Sequence, residues 1–249
     1  MKLFKRMLRA ATVLGAVGVS LAVGVGDSHA LLGLRIDYGN NGSYETTVQD
    51  NGAGDSLPLD VGKLLNSDSN GVVSLLINSG LSKPFIGSAT DPSMDLSTVL
   101  VASAGIDLRI QLSDTDFDGE PFGIGQLVSI GGTITSLAGS YVTTNIYRDL
   151  ANAQFGTGTI ICSTGALFPG IFDAFSGGCG ALMVLDDAYS VTIETIIHLA
   201  GAGIVSYDAH FRLASDGELD VPEPASMMLL GLGALGLGTW RRRRRAQQD

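Results

Sequence analysis

The sequence predicts an all-β protein: a single antiparallel β-sandwich ectodomain, with an apolar helix at each end of the chain. Three observations carry that prediction. Apolar and polar residues alternate with a period of two through much of residues 31–220. Turn-forming clusters punctuate those runs, namely GNNGS, DNGAGD, SDSNG and SGG. No sustained period of 3.6 appears outside the two ends, so helices have no signal in the middle.

The first element is MKLFKRMLRA, which holds Lys2, Lys5, Arg6 and Arg9 and no acid. The apolar run ATVLGAVGVSLAVGVG follows, then DSHA, with small residues at Ser28 and Ala30. A basic start, a short apolar run and a small-x-small site have the layout of a secretory signal peptide. Residues 1–30 are therefore assigned to it. The Sec translocon and signal peptidase are its partners, and the mature chain is expected to start at Leu31.

Residues 31–220 form the second element, long enough to bury one substantial core. Ile106, Leu108, Ile110 and Leu112 alternate with Asp107, Arg109, Gln111 and Ser113. Tyr207, Ala209, Phe211 and Leu213 alternate with Asp208, His210 and Arg212, and Leu32, Leu34, Ile36 and Tyr38 repeat the pattern. Each reads as a strand with one buried face. Further strands are expected in ETTVQD, VVSLLIN, STVLVAS, QLVSIGG, GSYVTTNIY, GTIICS, ALMVLD and YSVTIETIIHL. Antiparallel strands at this spacing point to a sandwich.

Charge narrows the partners. Between residues 31 and 240 lie 6 basic and 23 acidic side chains, a net charge near −17 that the overall −10 conceals. Such a surface repels phosphate backbones, so nucleic acid is excluded as a partner. Cys162 and Cys179, in an exported chain, are expected to form a disulfide. His198 and His210 remain after removal of the signal segment, and neither a G-x-S-x-G nor an H-E-x-x-H pattern occurs. The chain is read as having no catalytic residues. In SDTDFDGEPFG, Asp114, Asp116 and Asp118 recur at every second position, with Glu120 after Gly119. Alternating carboxylates at a turn can surround a hard cation, so these four residues are candidate calcium ligands in a loop. The twelfth position of that loop is Gly125 rather than Glu, which excludes an EF-hand.

The third element, residues 221–249, begins with Val221, Pro222, Glu223 and Pro224, continues through apolar Ala225 to Trp240, and ends in Arg241, Arg242, Arg243, Arg244 and Arg245. Sixteen residues make about 24 Å of helix, short of the roughly 30 Å hydrocarbon core. The arginines stop translocation on the cytoplasmic side. The two prolines hold the preceding segment extended and accessible outside the membrane.

Pro-Glu-Pro, a short apolar helix and a terminal arginine cluster, in that order, resemble the PEP-CTERM sorting signal. The resemblance implies an exosortase as partner, a membrane enzyme that removes the tail during delivery to the bacterial surface. It implies a transient inner-membrane anchor in a Gram-negative bacterium, then a cell-surface or extracellular location. The body, through VQDNGAGD and the run from GLSKPFIG to DTDF, is similar to PEP-CTERM cargo domains, which implies a β-sandwich without assigned activity. The function expected is that of a non-catalytic surface or matrix protein linked to exopolysaccharide or biofilm. The alternatives are a calcium-dependent carbohydrate-binding module and an exported glycoside hydrolase.

Overall fold

The computed structural model describes residues 31–118, 124–180, 182–183 and 188–214. Residues 1–30, expected to be a signal peptide, Glu120 and the tail that holds the Pro-Glu-Pro motif and the arginines lie outside them. Among the described residues the chain runs through β1 (Gly33–Tyr38), β2 (Thr46–Gln49), β3 (Lys63–Ser69), β4 (Val73–Leu81), β5 (Ser93–Ala102), β6 (Ile106–Phe117) and β7 (Ile124–Thr135). It continues through β8 (Tyr141–Asp149), β9 (Thr159–Ser163), β10 (Phe172–Cys179), β11 (Leu182–Met183), β12 (Tyr189–Leu199) and β13 (Gly203–Ala214).

These strands make two antiparallel sheets. The first has six strands in the order β2-β1-β6-β12-β8-β9. The second has seven, with β10-β7-β13-β5-β4-β3 in line and β11 paired with β7. The chain crosses from one sheet to the other after β2 and again after β5, β6, β7, β9, β11 and β12.

Side-chain alternation fixes which face each sheet turns inward. Leu108, Ile110 and Leu112 of β6 join Leu34 and Ile36 of β1 and Ile193 and Ile197 of β12. They meet Leu96 and Leu100 of β5 and Val205, Tyr207, Ala209, Phe211 and Leu213 of β13 in one apolar cluster. A Cβ added to Gly80 of β4 would press on the Leu112 side chain of the opposite sheet, so the two layers are in direct contact. Burial of that apolar surface is the main stabilising term.

Two strands escape the sequence pattern. SDSNG is not wholly a turn: β3 extends through Ser69, and of that run only Asn70 and Gly71 lie in the connection to β4, with Gly71 at φ 85°. Ser176, Gly177 and Gly178 belong to β10. Neighbouring β7 also carries a glycine where space is short. A Cβ at Gly132 would collide with the Ser206 carbonyl and the Phe175 ring, so only glycine lets β7 approach β13 this closely.

Cys162 and Cys179 are disulfide-bonded, with Cα atoms 5.9 Å apart. Cys162 pairs through β9 with Ile146 of the first sheet, and Cys179 pairs through β10 with Val128 of the second. The bond therefore ties the sheets together at their β9 and β10 edges. Replacing both cysteines with alanine is expected to cost about 3 kcal/mol, or about 6–12 °C in Tm. An unchanged thermal melt would show that the staple contributes nothing.

Candidate functional site

The acidic run does not form one loop. β6 continues to Phe117, and its even-numbered residues face the core, which carries Asp114 inward behind Leu112. Val191 of β12 pairs with Asp114 and Tyr189 with Phe117, so β6 holds one extra residue there. That bulge, with Asp116 at φ 58°, turns Phe117 inward against the Tyr189 ring, 5.9 Å away between centroids.

Asp114 is fully buried and accepts hydrogen bonds from Ser82 Oγ at 2.6 Å and Lys83 Nζ at 3.2 Å. Burial pushes its carboxyl above the usual range, opposed by the Lys83 charge. Burial likewise pushes the Lys83 amine down, opposed by Asp114. Asp116 accepts from Asn152 Nδ2 at 2.7 Å and from Thr115 Oγ1 at 3.0 Å. Asp118 is exposed. Among the described residues no three metal-capable side chains are gathered together.

The most extensive polar constellation lies on the outer face of the first sheet. Register places Arg35, Gln111, Glu194, Asn145 and Ser163 side by side across β1, β6, β12, β8 and β9. Glu194 accepts from Gln111 Nε2 at 2.6 Å, Asn145 Nδ2 at 3.1 Å and Tyr147 OH at 3.0 Å. Arg109 Nε lies 3.6 Å from its carboxylate. Gln111 Oε1 accepts from Tyr44 OH at 3.0 Å and from Arg35 Nε. The Arg35 guanidinium packs on the rings of Tyr44 and Phe155, 3.8 and 4.5 Å from their centroids. Burial first, then the Glu194 charge, pushes the Tyr147 phenol up to about 12, so it stays a donor at neutral pH. Glu194 is saturated with donors and is an anchor rather than a free base.

Sequence reasoning missed both this row and an aromatic platform at the end of the same face. Phe168, 68% exposed, lies against the Tyr141 ring with centroids 5.5 Å apart. Tyr141 in turn stacks on His198 at 5.1 Å, and His198 Nδ1 donates to Asp107 Oδ1 at 2.7 Å. A bridge between Val142 and Leu167 fixes the position of Phe168 beside Tyr141.

On the outer face of the second sheet, Asp95 accepts from Ser79 Oγ at 3.0 Å and stands near the Asp208 carboxyl. Its carboxyl is raised to about 7, by burial first and then by Asp208. The folded chain holds this proton between about pH 4 and 7 while the unfolded chain has released it, so stability falls as pH rises through that window. Asp95→Asn is expected to flatten that slope and to stabilise the chain at pH 8 by about 1–2 kcal/mol, after allowance for solvent screening. Parallel pH profiles of the denaturant midpoint would contradict this.

Comparison with known proteins gives one match by sequence family: residues 220–244 fit the PEP-CTERM protein-sorting motif. No curated protein matches the chain. Among solved structures, the enzymatically active domain of bacteriophage CBA120 tailspike protein 4 aligns at 15% identity and a TM-score of 0.30, over 61% of this chain and 19% of that one. TmCBM61 in complex with beta-1,4-galactotriose aligns at 10% identity and a TM-score of 0.30, over 60% of this chain and 88% of that one. The CBM22-1 xylan-binding domain of Paenibacillus barcinonensis Xyn10C aligns at 13% identity and a TM-score of 0.29, over 63% and 88%. Likenesses this slight carry no argument about ligand or activity.

Proposed function

We propose that this chain, which carries a PEP-CTERM sorting motif, is a non-catalytic surface protein whose β-sandwich is the cargo of an exosortase. The motif marks the chain for export, with membrane anchoring before processing and a final place at the cell surface or outside it. The non-catalytic reading draws support from the buried acids. Glu194 accepts from three donors, and Asp114 is taken up by Ser82 and Lys83. The sorting motif at residues 220–244 is the single observation that carries the proposal. A role in the exopolysaccharide or biofilm matrix is the setting in which such cargo acts. The test compares cells with and without an exosortase. Loss of the enzyme is expected to leave the protein in the inner membrane with its tail attached, and an unchanged distribution would overturn the proposal.

The Phe168–Tyr141–His198 platform favours a second reading, a carbohydrate-binding module. An exposed ring beside an imidazole–carboxylate pair offers a stacking face and hydrogen-bonding groups to a sugar. On a glycan array, Phe168→Ala would then lower retention about tenfold, the weight of roughly 1.4 kcal/mol. Running the array with and without calcium also tests the candidate ligands Asp114, Asp116, Asp118 and Glu120. An array with no retained glycan would remove this reading.

A further inference from the structure

We propose that Lys83 and Asp114 condense to an intramolecular amide, a covalent cross-link between the two sheets. Lys83 follows β4 of the second sheet, and Asp114 stands in β6 of the first. Lys83 Nζ lies 3.2 Å from Asp114 Oδ2, and the two side chains are 9% and 0% exposed. A buried Lys–Asp ion pair holds two layers together poorly, because desolvating both ions offsets their attraction. An amide removes both charges.

The surrounding contacts match the needs of that reaction. Thr115 N donates to Asp114 Oδ1 at 2.8 Å, and Ser82 Oγ donates to Oδ2 at 2.6 Å. Lys83 Nζ donates to the Thr115 carbonyl, which aims the amine, and the Phe117 ring covers Nζ at 3.7 Å. Proton transfer across the 3.2 Å contact turns ammonium and carboxylate into amine and acid, the uncharged forms that a site closed to water favours. The Nζ lone pair then attacks Cγ, and charge develops on Oδ1 where the Thr115 N–H points. The Nζ–Cγ bond forms and the Cγ–Oδ2 bond breaks. Oδ2 leaves as water with the two protons that the ammonium has lost, assisted by the Ser82 hydroxyl. Nothing is oxidised or reduced. Fixed proximity in a water-poor site supplies the drive that the same condensation lacks in solution.

The cross-link joins β6 to the β4–β5 connection, whereas the disulfide joins β9 to β10. The test is the intact mass, after reduction, of the full chain beside Lys83→Arg and Asp114→Ala, all expressed in the same cells so that processing is common. The wild type is expected one water lighter than its sequence requires, and both variants are expected at full mass. Fragmentation must place the branch at Lys83 and Asp114, because a missed tryptic cut at Arg109 has the same mass as the joined peptides. Lys83→Arg keeps a cation beside Asp114 and carries the comparison even if Asp114→Ala fails to fold. A folded wild type at full mass after long incubation at neutral pH, with Lys83 open to amine labelling once denatured, would overturn the proposal.

Discussion

Glu194→Leu is expected to destabilise the chain by about 3–5 kcal/mol, read as a lower denaturant midpoint. Leucine fills the space but accepts nothing. It would strand Gln111 Nε2, Asn145 Nδ2 and the Tyr147 hydroxyl, all of which now donate to Glu194. Arg109 suffers most, because its buried Nε has no hydrogen-bond partner and lies 3.6 Å from the carboxylate. Glu194→Gln is expected to recover only part of the loss, about 1–3 kcal/mol remaining. A glutamine has one acceptor oxygen, so its amide nitrogen must face another donor. A midpoint within about 0.5 kcal/mol of wild type, as for an ordinary surface substitution, would mean that the row holds nothing together.

The second large effect concerns the tail. Pro222→Ala, Glu223→Ala and Pro224→Ala together are expected to abolish tail removal in cells that possess an exosortase. The apolar stretch from Ala225 to Trp240 is too short to be a comfortable permanent span. Each arginine from 241 to 245 costs about 2.5–3.5 kcal/mol at the bilayer centre, so the cluster holds the end in the cytoplasm. The Pro-Glu-Pro segment is thereby expected on the outer side of the membrane, within reach of an exosortase. Replacing Arg241 to Arg245 with serine is expected to let the tail slip through, lowering the amount retained before processing. Normal processing of both variants would remove the motif from the mechanism.

Most of the strand faces were legible because a period of two is local. In β6 and β13 the inward residues fall where alternation puts them. The same parity, carried from Leu112 to the next even position, already places Asp114 on the core side. The loop reading failed there because three alternating aspartates look like turn chemistry. The sorting tail was legible for a related reason: its signal is linear, and the family match spans the segment that the residues indicate. The two cysteines were legible because a lone pair in an exported chain has one partner each. Glu194, by contrast, meets Gln111 and Asn145 only through the registers of β12 with β6 and β8. Those registers follow from repeated crossings between sheets, which local periodicity does not encode. Lys83, before Pro84 in a connection, gives no hint of a partner in another sheet. Its contact with Asp114 needs the packed core and the bulge at Phe117.

The C-terminal mass of protein recovered outside the cell tests the central claim most directly. The sorting account predicts a mature chain that starts near Leu31 and ends close to Glu223, with the arginine cluster gone. Arginines still attached, in cells that possess an exosortase, would contradict it and leave a plain membrane anchor in its place.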